Sequence, residues 1–152
     1  MRRNAALILV CCLALSGCSK PDYHTLDGNS GRFDDLQGRW VLINYWAEWC
    51  KPCIEELPEL AAFNREHTEQ AVVFAVNFDG PEEKVLREQA AKLKIEVPVL
   101  LDDPAPRLGY ERPQALPSTF VFGPDGKLRQ VLQGAQTSAS LEAAIQEQAA
   151  QP

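Results

Sequence analysis

The sequence predicts an α/β domain built on a mixed β-sheet, and three observations carry that prediction. Two nearly continuous apolar runs, Val41–Trp46 and Ala71–Val76, read as strands buried on both faces. Stretches with apolar residues at helical spacing separate the strand-like runs. The last two strand-like segments are joined by Gly123-Pro124-Asp125-Gly126, a turn by composition. Strands that alternate with helices and end in a hairpin give a central mixed sheet flanked by helices.

Each element follows from its local pattern. Tyr23–Leu26 and a segment near Arg32-Phe33 flank the turn Asp27-Gly28-Asn29-Ser30-Gly31, which predicts a short N-terminal hairpin. After the Val41–Trp46 strand, Ile54, Leu57, Leu60, Ala61 and Phe63 recur at helical spacing, with Pro58 expected to kink that helix. Ala71–Val76 is the next buried strand. Glu82–Lys94 reads as an amphipathic helix with Val85, Leu86, Ala90 and Leu93 inward, and Val97–Leu101 as a further strand. Ser118–Phe122 and Lys127–Leu132 form the final antiparallel pair. Leu141, Ala144, Ile145 and Gln148 mark a closing helix started by Ser138 or Ser140.

The first 17 residues read differently. Arg2 and Arg3 precede an apolar run, Ala5–Leu15, that is too short for a bilayer span, which needs about 20 apolar residues. This is the pattern of a secretory signal peptide. It ends in Leu15-Ser16-Gly17-Cys18, which resembles the bacterial lipoprotein lipobox and implies that Cys18 becomes the lipid-modified first residue of the mature chain. The expected organisation is therefore a signal peptide over 1–17, a lipidated N-terminus and short tether over 18–22, and one domain over 23–152. Residues 1–17 carry two arginines and no acid, so their removal takes the net charge from −6 to −8. An acidic domain without a basic cluster argues against nucleic acid as a partner and leaves the lipid anchor as the link to a membrane. A monomer is expected.

Chemistry concentrates in Trp46-Ala47-Glu48-Trp49-Cys50-Lys51-Pro52-Cys53. Two cysteines separated by two residues, one of them proline, form a closable dithiol at the mouth of a helix. There the helix dipole and free backbone N–H groups stabilise a thiolate, the form that attacks a disulfide sulfur. Cys50, at the helix mouth, is expected to be the more exposed nucleophile, and Cys53, most of a turn inside, the resolving thiol. Lys51 favours the Cys50 thiolate by its charge, whereas Glu56, three residues beyond Cys53, favours protonated thiols. These effects oppose each other, so the sequence leaves the redox poise open. A zinc site would need a second ligand pair, and His24 and His67 are remote from Cys50. Trp49, beside Cys50, is the aromatic expected at a substrate-facing surface.

From about Tyr23 to Ala149 the chain resembles thioredoxin-fold proteins of the TlpA/ResA/DsbE group. The resemblance rests on the strand running into the dithiol motif, on Cys53-Ile54-Glu55-Glu56-Leu57-Pro58, and on Leu116-Pro117-Ser118-Thr119-Phe120. It implies a thioredoxin-like fold and a membrane-tethered, extracytoplasmic thiol-disulfide oxidoreductase with no cofactor. It further implies Cys50 as nucleophile, Cys53 as resolving cysteine, Glu56 as the acid near the pair, and Pro117 as a cis-proline facing the disulfide, with Trp49, Lys51, Pro52 and Leu116 in support. Asn44 stands where cytoplasmic thioredoxins carry a buried aspartate, so a buried carboxylate, if needed, must come from Glu56. Leu116 offers no hydroxyl to the sulfurs, which resembles reducing thioredoxins more than disulfide isomerases.

The leading expectation is reduction of protein disulfides, with re-reduction by a membrane thiol donor of the DsbD/CcdA kind or by a soluble reductant. Apocytochrome c, a copper-site protein and damaged exported proteins all remain open as substrates. A copper(I) chaperone of thioredoxin fold and a disulfide-donating oxidase are the alternatives, since soft thiolates also suit that ion. Ser19 stands where an inner-membrane retention signal typically places aspartate, so the usual lipoprotein sorting pattern favours the outer membrane.

Overall fold

The computed structural model describes residues 20–150. The segment expected to be a signal peptide, Cys11, Cys12 and Cys18, the expected lipidation position, lie outside them. The elements run β1 (Tyr23–His24), β2 (Ser30–Gly31), β3 (Trp40–Trp46), α1 (Lys51–Glu66), β4 (Ala71–Asn77), α2 (Glu83–Leu93), α3 (Ala105–Leu108), β5 (Ser118–Phe122), β6 (Leu128–Gln133) and α4 (Ser138–Ala149). A small antiparallel hairpin of β1 and β2 precedes a four-stranded sheet in the order β4-β3-β5-β6. Strand β3 pairs parallel with β4 and antiparallel with β5, so the sheet is mixed and its centre is the strand that leads into the dithiol.

Every residue of β3, β4 and β5 is buried, which is why their sequences read as apolar runs rather than alternations. Because successive side chains point to opposite faces, β3 divides its core between two clusters. Trp40, Leu42 and Trp46 pack with Leu57, Leu60 and Phe63 of α1, Leu86 of α2 and Leu141 and Ile145 of α4. Val41, Ile43 and Tyr45 pack with Phe33, Phe74, Phe120 and Phe122. Asn44 shares the parity of the first set, so this single polar residue of β3 faces the helix that carries the cysteines.

Several local expectations are corrected. The second hairpin strand is Ser30–Gly31, and Phe33–Leu36 forms a 3-10 turn instead. Val97–Leu101 is not a strand of the sheet. Pro98 has no N–H to give, and pairing there is confined to a parallel bridge from Val99 to Ala75 and an antiparallel bridge from Leu100 to Thr25. These bridges tie the hairpin to the β4 edge. Val85 is exposed, because the burial stripe of α2 runs through Leu86 and Ala90. Helix α4 is capped by Thr137 rather than by Ser138 or Ser140. The Thr137 side chain accepts from Ser140 N while the Ser140 hydroxyl accepts from Thr137 N, a reciprocal capping box. Helix α1 carries Pro58 inside it, where the sequence placed that residue, and ends at Glu66. Helix α3 is a four-residue turn between Pro104 and Gly109, too short for periodicity to announce.

Candidate active site

Strand β3 ends at Trp46, and a three-residue turn carries the chain to Cys50, whose N–H donates to the Ala47 carbonyl at 3.1 Å. Cys50 is the N-cap of α1, and its sulfur accepts from Cys53 N at 3.3 Å. Pro52 fits the first helical turn, where a missing N–H costs nothing because that group has no intrahelical partner. The first turn of α1 carries no acidic residue, so the positive end of the helix faces the sulfurs unopposed.

Cys50 and Cys53 are joined in a disulfide, with an S–S distance of 2.03 Å. The exposure order follows the expectation but the margin is small: Cys50 is 4% exposed and Cys53 0%. Lys51 points into solvent beside Glu55, with Nζ 3.5 Å from its carboxylate.

The turn before Cys50 is held from two sides. Trp49 is 66% exposed, and its Nε1–H donates to Asp79 at 2.9 Å. Glu48 accepts from Lys92 at 2.7 Å and from Gln89 at 3.0 Å, and Gln89 in turn accepts from Asn77 at 2.9 Å. The hydrogen bond and charge of Lys92 hold the Glu48 carboxyl below its ordinary range. The turn is thus fastened to α2 and to the end of β4, an arrangement that the sequence did not announce because its partners lie 30 to 44 residues away.

The Leu116–Pro117 peptide bond is cis. Ser118 of β5 lies opposite Tyr45 of β3, which brings Leu116 and Pro117 to the sheet end from which the cysteine turn departs. Leu116 packs against the cluster that contains Cys50 and Cys53. The Ser118 hydroxyl donates to the Ala115 carbonyl at 2.8 Å, and Gly134 N donates to the Pro117 carbonyl at 2.9 Å, so the segment is braced on both sides.

Glu56 lies one turn beyond Cys53 and is 1% exposed. Its Oε1 accepts from Asn44 Nδ2 at 2.8 Å and its Oε2 from Gln136 N at 2.9 Å. Burial pushes its carboxyl up to about 7, against the two N–H donors that favour the charged form. A carboxyl poised near neutrality beneath a disulfide can accept or release a proton at working pH. On the opposite face of the sheet, Tyr45 donates to Asp103 at 2.6 Å and meets the Tyr110 hydroxyl at 3.0 Å, and Arg112 pairs with Asp103 at 2.6 Å. Burial raises both tyrosine hydroxyls, which stay neutral and serve the packing of that face.

With the dithiol at the mouth of α1 and the cis-proline at the same end of the mixed sheet, the chain matches the family model for AhpC/TSA over residues 17–131. The chain belongs to the AhpC/TSA family. It is 32% identical over 130 residues to the thioredoxin-like protein YneN of Bacillus subtilis, covering 83% of this chain and 76% of that protein. It is 30% identical over 129 residues to the thiol-disulfide oxidoreductase ResA of Geobacillus kaustophilus, covering 83% and 74% respectively. The fold seen here is also that of the exposed lipoprotein thioredoxin of Streptococcus pneumoniae, with a TM-score of 0.72 at 24% identity over 82% of this chain and 96% of that one. StoA of Bacillus subtilis superposes with a TM-score of 0.66 at 21% identity over 80% and 92%. This AhpC/TSA chain is thioredoxin-like and similar to ResA.

Proposed function

We propose that this thiol-disulfide oxidoreductase works in the reducing direction, on disulfides of proteins outside the cytoplasm, while tethered to a membrane by lipid on Cys18. The observation that carries the reading is the Cys50–Cys53 disulfide at the N-terminus of α1 with the buried Glu56 one turn below it. In the reduced protein the Cys50 thiolate attacks one sulfur of a substrate disulfide. A mixed disulfide forms and the first substrate sulfur leaves as a thiolate, which takes a proton from solvent. Cys53 then loses its proton to the Glu56 carboxylate and attacks the Cys50 sulfur. The Cys50–Cys53 disulfide forms and the second substrate sulfur leaves, so two electrons have passed from the dithiol to the substrate. A thiol donor, membrane-bound or soluble, regenerates the dithiol by the reverse exchange.

The remaining residues have supporting parts. Trp49 offers an exposed aromatic surface to the incoming polypeptide, Lys51 adds positive charge near the attacking sulfur, and Pro52 preorganises the helix start. Leu116 and Pro117 present the backbone against which a substrate strand aligns. The apolar Leu116 side chain supplies no hydroxyl to the sulfurs, which fits a reductase. The lipobox-like Leu15-Ser16-Gly17-Cys18 supports the anchor, and the exposed lipoprotein thioredoxin is a structural neighbour.

The direct test is reduction of insulin with dithiothreitol as the source of electrons, beside oxidative refolding of a reduced, unfolded protein. The proposal expects acceleration of the first and little of the second, and the reverse pattern would make the protein a disulfide donor. Labelled palmitate should enter the expressed chain and be lost in Cys18→Ala; label that persists in that variant would remove the anchor from the account.

A further inference from the structure

The carboxamide of Asn44 is a half-satisfied polar group on the face of the sheet that carries the dithiol. It is fully buried at the middle of β3, between Ala75 of β4 and Thr119 of β5. Nδ2 spends both of its protons, one on Glu56 Oε1 at 2.8 Å and one on Thr119 Oγ1 at 2.9 Å. Its Oδ1 is buried with no hydrogen-bond partner among the described residues. An unpaired acceptor at such a position is costly, and native proteins seldom keep one without a use.

The arrangement suits an ionised Glu56 and no other state. Oε2 faces the backbone N–H of Gln136, a fixed donor that has no alternative orientation. An incoming proton therefore has to sit on Oε1, where it meets the Nδ2 protons of Asn44, donor against donor. A half-turn about the Asn44 Cβ–Cγ bond removes the conflict by exchanging Nδ2 and Oδ1. The oxygen then accepts from the Glu56 acid proton and from the Thr119 hydroxyl, which can donate as readily as it accepts. This torsion is broad and two-fold, so no backbone movement is required. The turn places the two Nδ2 protons where Oδ1 has no partner, a cost met only when the proton on Glu56 replaces a donor–donor clash with a hydrogen bond to the acid.

We propose that Asn44 is a positioning residue whose carboxamide turns over with the protonation of Glu56, Nδ2 facing the carboxylate and Oδ1 facing the acid. The inference rests on the reading of Glu56 as the proton acceptor beneath the dithiol, and it names the device that lets a buried carboxyl hold either state. The groups around Glu56 are consistent with a private switch. Cys53 lies one turn earlier in the disulfide, and Glu59, one turn later, is engaged by Ser138 N at 2.9 Å. Asn44 and Thr119 come from the sheet, and Gln136 N from the segment before α4.

The test is a nuclear magnetic resonance titration of the full chain in its disulfide form, reading the Glu56 carboxyl carbon and the Asn44 side-chain amide together. The carboxyl carbon is expected to titrate near neutrality. Overhauser contacts from the Asn44 amide protons to Thr119 should be strong at about pH 8.5 and lost at about pH 5.5, with the same midpoint. In Glu56→Gln the Asn44 contacts should no longer depend on pH. Asn44→Leu should raise the Glu56 midpoint by about one pH unit, a tenfold gain in proton affinity, because the carboxylate loses a donor. A carboxyl that titrates near neutrality while the Asn44 contacts stay fixed would overturn the switch and leave the proton reading of Glu56 standing. A carboxyl midpoint near 4.5, the ordinary glutamate value, would overturn both.

Discussion

Cys50→Ser is expected to lose insulin reduction to background, and Cys53→Ser to accumulate covalent complexes with substrate proteins that dithiothreitol releases. The asymmetry follows from position. Cys50 is the N-cap, with the helix N-terminus behind it and the only measurable exposure of the pair. A hydroxyl there is not ionised at neutral pH and has no path to a disulfide sulfur. Cys53 is fully buried and reaches only Cys50, so its loss stops the second exchange but not the first. Non-reducing electrophoresis checks both variants. Trapped complexes with Cys50→Ser and none with Cys53→Ser would reverse the two roles.

Glu56→Gln is expected to change both rate and stability, in opposite directions. The variant should lose insulin reduction on the order of a hundredfold near pH 7, the usual worth of a positioned acid or base. Its stability effect follows from the raised carboxyl. Glu56 stands at about 7 in the folded chain against 4.5 for an unburied glutamate. A group raised on folding contributes fully below its unfolded value, and that contribution is lost as pH rises through the folded value. Between 4.5 and about 7 the disulfide form should therefore lose about 3 kcal/mol through this side chain. The amide of glutamine carries no such penalty. At about pH 3.5 parent and variant should melt together, and at about pH 8 the variant should be the more stable by up to about 3 kcal/mol. Thermal melts of both proteins at these two pH values decide it; a difference that does not change with pH would mean that Glu56 titrates outside this window.

What could be read in the sequence and what could not divide along a physical line. Strand β3, the dithiol and helix α1 are local: a continuous apolar run, two cysteines at fixed spacing and a helical repeat of Ile54, Leu57, Leu60 and Phe63 contain their own explanation. The burial of Glu56 is not local. Spacing places it near Cys53, but what encloses it is Asn44 from the sheet and the N–H of Gln136, 80 residues later. The same holds for Trp49 and Glu48, whose partners Asp79, Gln89 and Lys92 come from the turn after β4 and from α2.

Other differences come from competition between neighbouring signals. Thr137, Ser138 and Ser140 are all good caps, and the reciprocal bonds of Thr137 and Ser140 settle the choice. Val97–Leu101 has strand composition, but pairing is limited to the bridges at Val99 and Leu100. Pro117 is one of 11 prolines, and only the family pattern of Leu116-Pro117-Ser118 singled it out as the cis one.

The central claim is that the Cys50–Cys53 pair gives its electrons to substrate. It is tested most directly by the reduction potential of that pair in the purified protein, equilibrated against dithiothreitol or glutathione. The account predicts a value toward the thioredoxin end of the scale, about −270 mV, whereas a value near about −120 mV would show a disulfide donor and contradict it.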